Sequence, residues 1–592
     1  MKRIKRIVRV VLVFIIILTT SACINMHKGE TFEKFSNDFF LSIIGYDEIT
    51  INNLFKDREA FGFEHYDPSL PEPYVPSGSG GSVIGDFLGI SVQGYLKRLA
   101  EFDFDTLTKD QQITYLIIKD VLERSQKKET YMYYLDSSYL GSYLGYQAQL
   151  PLLFAEYSFY DVDDIESYIK IVNLVEPTFE KYYQFEVEKA DKGYGMPDFV
   201  IDKVIAQCER ITNDIDDHFL IPVFNDKIDG LDFLSESEKS RYKNLHEVAI
   251  KTSFYNGYIY LKDNLSNLKG RATNNQGLYH YEGGKEFYQF LFNQVTGYDI
   301  KVDDALSYLE NNLRKRIISY VNLLQNNEGL VEEINQTILL DFDSPMDLVN
   351  YHREHIKTSF PSIDDYDIDV SVKYIHKSME NNFSPAAYVI SPIDETSSEF
   401  IYLNAKSVND RPNYLFVTLA HEGFPGHLYQ NVYFKNQEVN IIRKVLRNIG
   451  YVEGWATYAE MYSYRFSEAN PTVVEAIKLN DEINGIITAI LDICIHYLGY
   501  GYDDIISYLE TNLGPTNPEV DYQALYNQLV EVPTNSQQYF FTYLKFVDMY
   551  EKAQKKLGTS FNEKEYHKLI LDLGPIPLKF VEQEVDKYLA SK

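Results

Sequence analysis

Apolar residues recur at three- and four-residue spacings along most of the chain, beginning at 32–41 with Phe32, Phe35 and Phe39 set among polar neighbours. The same period runs through 105–122, 161–189, 197–215, 236–265, 305–324 and 330–339, often with acids near the start, where a helix dipole favours them. It resumes at Tyr414 and continues through 472–498, 503–513, 522–529, 537–557 and 562–571. Between the two series, VSVKYI at 370–375 and EFIYL at 399–403 are β-branched and aromatic, which predicts a small sheet or hairpin. Pro68, Pro71, Pro73 and Pro76, followed by SGSGGS from Ser77, break any helix or ladder and mark a spacer or a substrate-gating loop. The periods are too irregular for a helical repeat. The pattern therefore predicts a mainly α protein, a large multi-helix body with a small β element, organised as helical regions over 31–350 and 351–592.

Composition supports long helices, since 592 residues contain only 31 glycines and 20 prolines. With 56 Lys plus Arg against 87 Asp plus Glu, the formal charge is −31, which argues against nucleic acid as the main partner. The 50 tyrosines are scattered and read as packing. Three cysteines exclude a disulfide framework or thiolate cluster while leaving room for one disulfide. The N-terminus departs from the rest. Lys2, Arg3, Lys5, Arg6 and Arg9, an apolar stretch over 10–18, and Thr19-Thr20-Ser21-Ala22 before Cys23 have the order of a secretory signal, too short to span a bilayer. Residues 1–22 are thus expected to be a signal peptide or, alternatively, an uncleaved anchor. The small residues before Cys23 resemble a bacterial lipobox, with Thr20 where Leu is usual. That resemblance implies lipidation of Cys23, a tether over 23–30, and a body held on the outer face of the cytoplasmic membrane.

The main chemical signal is His421-Glu422-Gly423-Phe424-Pro425-Gly426-His427 after the helix-like YLFVTLA at 414–420. Two imidazoles suit Zn²⁺, and a neighbouring carboxylate can take a proton from metal-bound water. The histidines are six apart rather than four, so an unbroken helix would turn the second away by about 240°. Pro425 and Gly426 permit a bulge or restarted turn that brings it back. In Glu453-Gly454-Trp455-Ala456-Thr457-Tyr458-Ala459-Glu460 the two acids are nearly two turns apart on one helical face. Glu453 can complete a His-His-Glu site and Glu460 can orient a histidine from behind; spacing alone equally allows two solvent-exposed acids.

HEGFPGH followed by EGWATYAE resembles the paired signature of the bacterial DUF885 family, approximately HExxPGH then EGWA. YEGGKEFYQFLF at 281–292, DICIHYLGY at 492–500 and LILDLGPIPL at 569–578 also resemble family segments, extending the likeness over about 35–590. The resemblance implies a helical metallopeptidase-like protein with a deep cleft, similar to zinc carboxypeptidases and oligopeptidases. It puts His421, His427 and Glu453 on one Zn²⁺ and makes Glu422 the general base. Two positions depart from the pattern. Glu531-Val532-Pro533 lacks the expected arginine, and Tyr550 stands where another is usual, which puts substrate-carboxylate contacts in question.

Oxyanion donors would be His496, with Asp492 one turn away to fix its tautomer, or Tyr539, where the family often has tyrosine; Tyr429 and Tyr458 compete for the role. Cys208 and Cys494 read as small buried residues, and Gly283-Gly284 as a junction rather than a phosphate loop. The expected activity is zinc-dependent hydrolysis of peptide bonds, most naturally in oligopeptides. Two alternatives stand beside it: a peptide- or ligand-binding lipoprotein without catalysis, and a metal hydrolase of cell-wall or other non-peptide amides. His, His and Glu also accept other divalent transition ions.

Overall fold

The computed structural model describes residues 29–44, 47–63, 66–73, 92–128, 132–135, 139–366, 368–377, 380, 384–395, 397–409 and 411–592. The leader, Cys23 and the SGSGGS stretch lie outside them. The fold is mainly α with one three-stranded sheet, and the chain forms two compact units. Among the described residues, no helix is long and apolar enough to cross a membrane.

The described part of the smaller unit is made of helices Phe32–Ile44, Val92–Leu99 and Lys109–Lys128 with a short segment at 439–442. The phenylalanines at three- and four-residue spacing form its seam: Phe35 and Phe39 meet Tyr95 edge-on, with ring centroids 6.2 and 5.2 Å apart.

In the larger unit, helices Val162–Asn173, Val175–Asp191, Asp198–Thr212, Glu236–Ala249 and Tyr255–Leu265 enclose Ile171, Val175, Phe179, Val204, Phe254 and Tyr258, all buried. Complete burial of such side chains contributes about 1.5–3 kcal/mol each. The single run predicted over 161–189 is two helices meeting at Leu174, and its start is fixed by reciprocal hydrogen bonds between Asp161 and Asp164. Three other predicted runs contain π-turns: Ile250–Phe254 divides 236–265, Cys494–Leu498 ends 472–498, and Gln537–Phe541 begins 537–557. Each inserts a residue into the helical count and redirects the chain beyond it.

Toward the C-terminus, helix Val302–Asn326 packs on Pro471–Ile493, and helix Ile449–Ser463 packs against Pro412–Glu422, the Gln537–Phe541 turn and Thr542–Leu557. Helix Ile449–Ser463 is buried nearly all round. A Cβ at Gly454 would lie 2.5 Å from Thr542 Oγ1, so the close approach here requires glycine.

The sheet contains β1 (Asp369–Tyr374), β2 (Ala386–Val389) and β3 (Ser398–Leu403) in the order β1-β3-β2. The two predicted runs do not form a hairpin with each other. They pair in parallel, with Val370 opposite Glu399, while β2 pairs antiparallel on the other side of β3.

Candidate metal centre

Helix Pro412–Glu422 carries His421 and Glu422 in its last turn, and a new helix starts at His427. The chain reverses between them through a cis Phe424–Pro425 bond, and the Gly426 N–H donates to the Ala420 carbonyl at 3.0 Å. A Cβ on Gly426 would fall 1.7 Å from the His421 carbonyl oxygen; only glycine lets the backbone fold back this tightly. The break thus restores the facing of two histidines that a straight helix would separate.

Helix Ile449–Ser463 crosses beneath this turn. Asn448 caps it by accepting from Tyr451 N–H, and Trp455 Nε1 donates to the Pro425 carbonyl at 2.9 Å, tying the EGWA segment to the HEGFPGH turn. Glu453 Oε2 lies 3.4 Å from His427 Nε2 and 3.6 Å from His421 Nε2. A tetrahedral ion with ligands at about 2.0–2.1 Å separates those ligands by about 3.3–3.4 Å. One ligand atom from each of His421, His427 and Glu453 lies within 4.8 Å of the others, and all three residues are only partly buried. The donor set therefore fits a divalent transition ion.

Glu460, two turns beyond Glu453, accepts from the other side of the ring, with His421 Nδ1 3.1 Å from its Oε2. That contact directs His421 Nε2 toward Glu453. Burial opposes protonation of His421, but Glu453, Glu460 and the charge of Glu422 outweigh it and raise its pKa well above the usual value. Burial likewise opposes the charge of Glu453, yet the two histidines hold its pKa well below the ordinary range. This assembly attracts positive charge, as a proton or as a metal ion.

Glu422 stands beside the triad rather than within it. Its Oε2 accepts the Tyr388 backbone N–H at 2.7 Å, from β2. The Tyr388 hydroxyl in turn donates to Glu399 Oε2 at 2.5 Å, and Glu399 is ion-paired with buried Lys435. Sequence reasoning misses Tyr388; its only signal is a short apolar run that a four-residue strand barely announces. A cavity of about 1100 Å³ runs beside this strand, with Ser384, Ala387, His376 and His218 in its lining.

Tyr539 reaches the cluster from the Gln537–Phe541 turn, its ring 6.3 Å from that of His421. Burial first, then Glu453 and Glu422, push its pKa up, so the phenol keeps its proton. The competing hydroxyls are committed elsewhere: Tyr429 donates to the Pro361 carbonyl, and Tyr458 lies 2.8 Å from His567 Nε2.

His496 requires correction. It is buried outside the triad, Nδ1 accepting from Leu278 N–H at 3.0 Å and Nε2 lying 2.8 Å from the Leu529 carbonyl. Burial lowers its pKa, so the ring is neutral and Nε2 is the donor. Both nitrogens are used by the backbone, which leaves none for a reacting group, and Asp492 does not set the tautomer. Asp492 instead accepts from Thr534 N–H at 3.0 Å, Gln537 Nε2 at 3.0 Å and the Tyr288 hydroxyl at 2.6 Å. It supports the turn that carries Tyr539.

At the two departures from the family pattern, Glu531 accepts from the backbone N–H and hydroxyl of Ser142, and the Tyr550 hydroxyl donates to Glu563. Cys208 and Cys494 are buried free thiols, and burial raises the pKa of Cys494 to about 12.

Fold and site together define a mainly α protein with a His/His/Glu cluster able to bind a metal ion. The DUF885 family model, described as a bacterial protein of unknown function, matches residues 91–585, and the chain belongs to that family. No curated protein matches it. The fold is shared with a protein from Colwellia psychrerythraea described as a lipoprotein, at TM-score 0.81 and 16% identity over 95% of this chain and 99% of that one. It is also similar to a lipoprotein of unknown function from Shewanella oneidensis, at TM-score 0.60 and 16% identity over 93% of this chain and 99% of that one.

Proposed function

We propose that this protein is a zinc-dependent hydrolase of peptide bonds, acting on oligopeptides. The observation that carries the reading is the division of labour among the acids: Glu453 meets both histidines, whereas Glu422 is held outside the triad by the Tyr388 N–H. When bound, the ion would supply Lewis acidity and a water of lowered pKa. Glu422 is the general base, and the Tyr388 N–H fixes which carboxylate oxygen stays free to accept the water proton. Tyr539, protonated beside the cluster, donates to the developing oxyanion. The place for an extended peptide is beside β2, where the cavity lined by Ala387 adjoins Tyr388, the residue whose N–H holds Glu422. Lipidation of Cys23, placing the body on the outer face of the bacterial cytoplasmic membrane, is supported by the lipoprotein character given for the two similar structures.

That description also favours a second reading, a lipoprotein that binds peptides or another ligand without cleaving them. Hydrolysis of cell-wall amides uses the same groups and differs only in substrate. Purified residues 24–592, analysed for metal by mass spectrometry and incubated with a mixed peptide library, decide between them. Zinc in both wild type and Glu422→Gln with cleavage by wild type alone is the expected result. No retained or restorable metal, or equal behaviour of the two proteins, overturns it; cleavage confined to wall fragments favours the amide reading.

A further inference from the structure

Buried or half-buried arginines in this protein are generally matched by acids. Arg58 pairs with Glu48 and Asp164, Arg98 with Glu30 and Asp38 and Arg316 with Glu482; the more exposed Arg465 pairs with Glu563. Buried Arg443 donates to the carbonyls of Asp572 and Leu573 at a helix end. Arg447 has neither. Its protein hydrogen bond runs from Nη2 to Asn431 Oδ1, and among the described residues no carboxylate pairs with it. Nε is shut away from water without an acceptor, although water still reaches part of the side chain. Burial opposes the charge at all these residues. It prevails at Arg447, whose pKa is lowered, while neighbouring phenols and carboxylates raise those of Arg58, Arg98, Arg316 and Arg465. A guanidinium does not surrender its proton in such a place, so it remains a desolvated cation.

Three elements of the metal centre locate this cation. Asn431 lies four residues beyond His427, on the same face of the same helix. Arg447 directly precedes Asn448, the cap of the helix that carries Glu453. Asn431 Nδ2 also donates at 2.8 Å to the hydroxyl of Tyr388, the residue whose N–H holds Glu422. One helical turn is about 5.4 Å, and one extended peptide residue covers about 3.3–3.6 Å. A carboxylate within about two residues of the reacting bond is therefore in range.

We propose that Arg447 receives a carboxylate of the peptide, either its free C-terminus or an Asp or Glu side chain, and so selects substrates by an anion close to the cleaved bond. The inference rests on the proposed peptidase reading and specifies its substrate class. The fork geometry of guanidinium and carboxylate provides two parallel hydrogen bonds, and the acid supplies the counter-charge the site lacks. It also gives a carboxylate contact to a chain in which Glu531 and Tyr550 are engaged with Ser142 and Glu563.

The test uses zinc-loaded Glu422→Gln protein, so that binding is read without turnover. A set of N-acetylated tetrapeptides is titrated as paired C-terminal acids and amides, and a second set of amides pairs Asp or Glu with Asn or Gln at the last two positions. The expected result is that one set of acids binds about 10- to 100-fold more tightly than its neutral partners, as charged hydrogen bonds predict. Which set responds identifies the source of the anion. Arg447→Gln should remove the preference while leaving zinc content and affinity for the neutral peptides within about threefold, and Arg447→Lys should retain part of it. Equal affinity within both sets, no binding of either, or a preference that survives Arg447→Gln overturns the proposal. Acid-selective binding with no cleavage by wild type would uphold Arg447 and sink the hydrolase reading instead.

Discussion

Two histidine-carboxylate groups in the same larger unit have opposite characters. At His496 and Asp492, spaced four residues apart along one run, both partners are buried and every strong contact closes on the protein itself: two backbone groups for the ring, a backbone N–H, an amide and a phenol for the acid. At His421, His427, Glu453 and Glu460 the residues come from three helices and remain partly open. There the second nitrogen of His421 is held by Glu460, and the first points at a carboxylate shared with His427. Proximity of imidazole and acid does not make a site. What distinguishes the two is whether a nitrogen remains after the backbone has been served.

A pair of substitutions tests the contrast most severely. Glu422→Gln should lower peptide turnover by about 10²- to 10⁴-fold with metal retained, the usual yield of a positioned base. His496→Asn should leave turnover of the folded protein within about threefold, and a larger loss measured on protein with full metal content would return His496 to the chemistry. Next in size, Asp492→Ala should destabilise the protein by at least about 3 kcal/mol in urea melts, since three donors lose their acceptor at about 1–3 kcal/mol each. Its metal content should stay unchanged. Glu460→Gln reverses that pattern: stability should change little, while zinc affinity in chelator competition falls about 10- to 100-fold.

The smallest effect concerns pH. In metal-free protein the raised pKa of His421 gives stability that is fully present below its unfolded value, about 6.5, and lost as pH rises through the folded value. The lowered pKa of His496 acts with the opposite sign, removing stability as pH falls below about 6.5. Urea melts from acid to alkaline pH should therefore show slopes changed in opposite directions by His421→Leu and His496→Leu. Slopes that shift in the same direction would contradict the assigned environments.

The same contrast explains what the sequence discloses. Long helices are legible because their core faces repeat every three to four residues, as in 305–324, observed as Val302–Asn326. The candidate metal ligands are legible because histidine, glutamate, proline and glycine there have few other combined uses, and because Glu453 and Glu460 share one face of one helix. The role of His496 is illegible: a period of four says that Asp492 lies nearby, but the π-turn at Cys494–Leu498 and the approach of Leu278 and Leu529 are tertiary facts. Helix Tyr146–Glu156 is missed for a related reason, since it contains Pro151 and lacks a clean apolar stripe. Strand β2 offers four residues, too few for alternation to register, yet it supplies the N–H that holds Glu422. Arg447 is unremarkable in sequence, because what sets it apart is that, among the described residues, no acid pairs with it in three dimensions.

Trp455 is the single tryptophan of the chain. Its indole nitrogen is bonded to the turn between the two histidines, and its helix supplies Glu453. The molecule therefore carries a built-in optical reporter at its candidate metal centre. Excited at the red edge, where the 50 tyrosines are silent, emission arises from one ring, and any rearrangement of the Pro425 carbonyl alters its wavelength and lifetime. Loading of an ion can be followed by light, without label, substrate or assay.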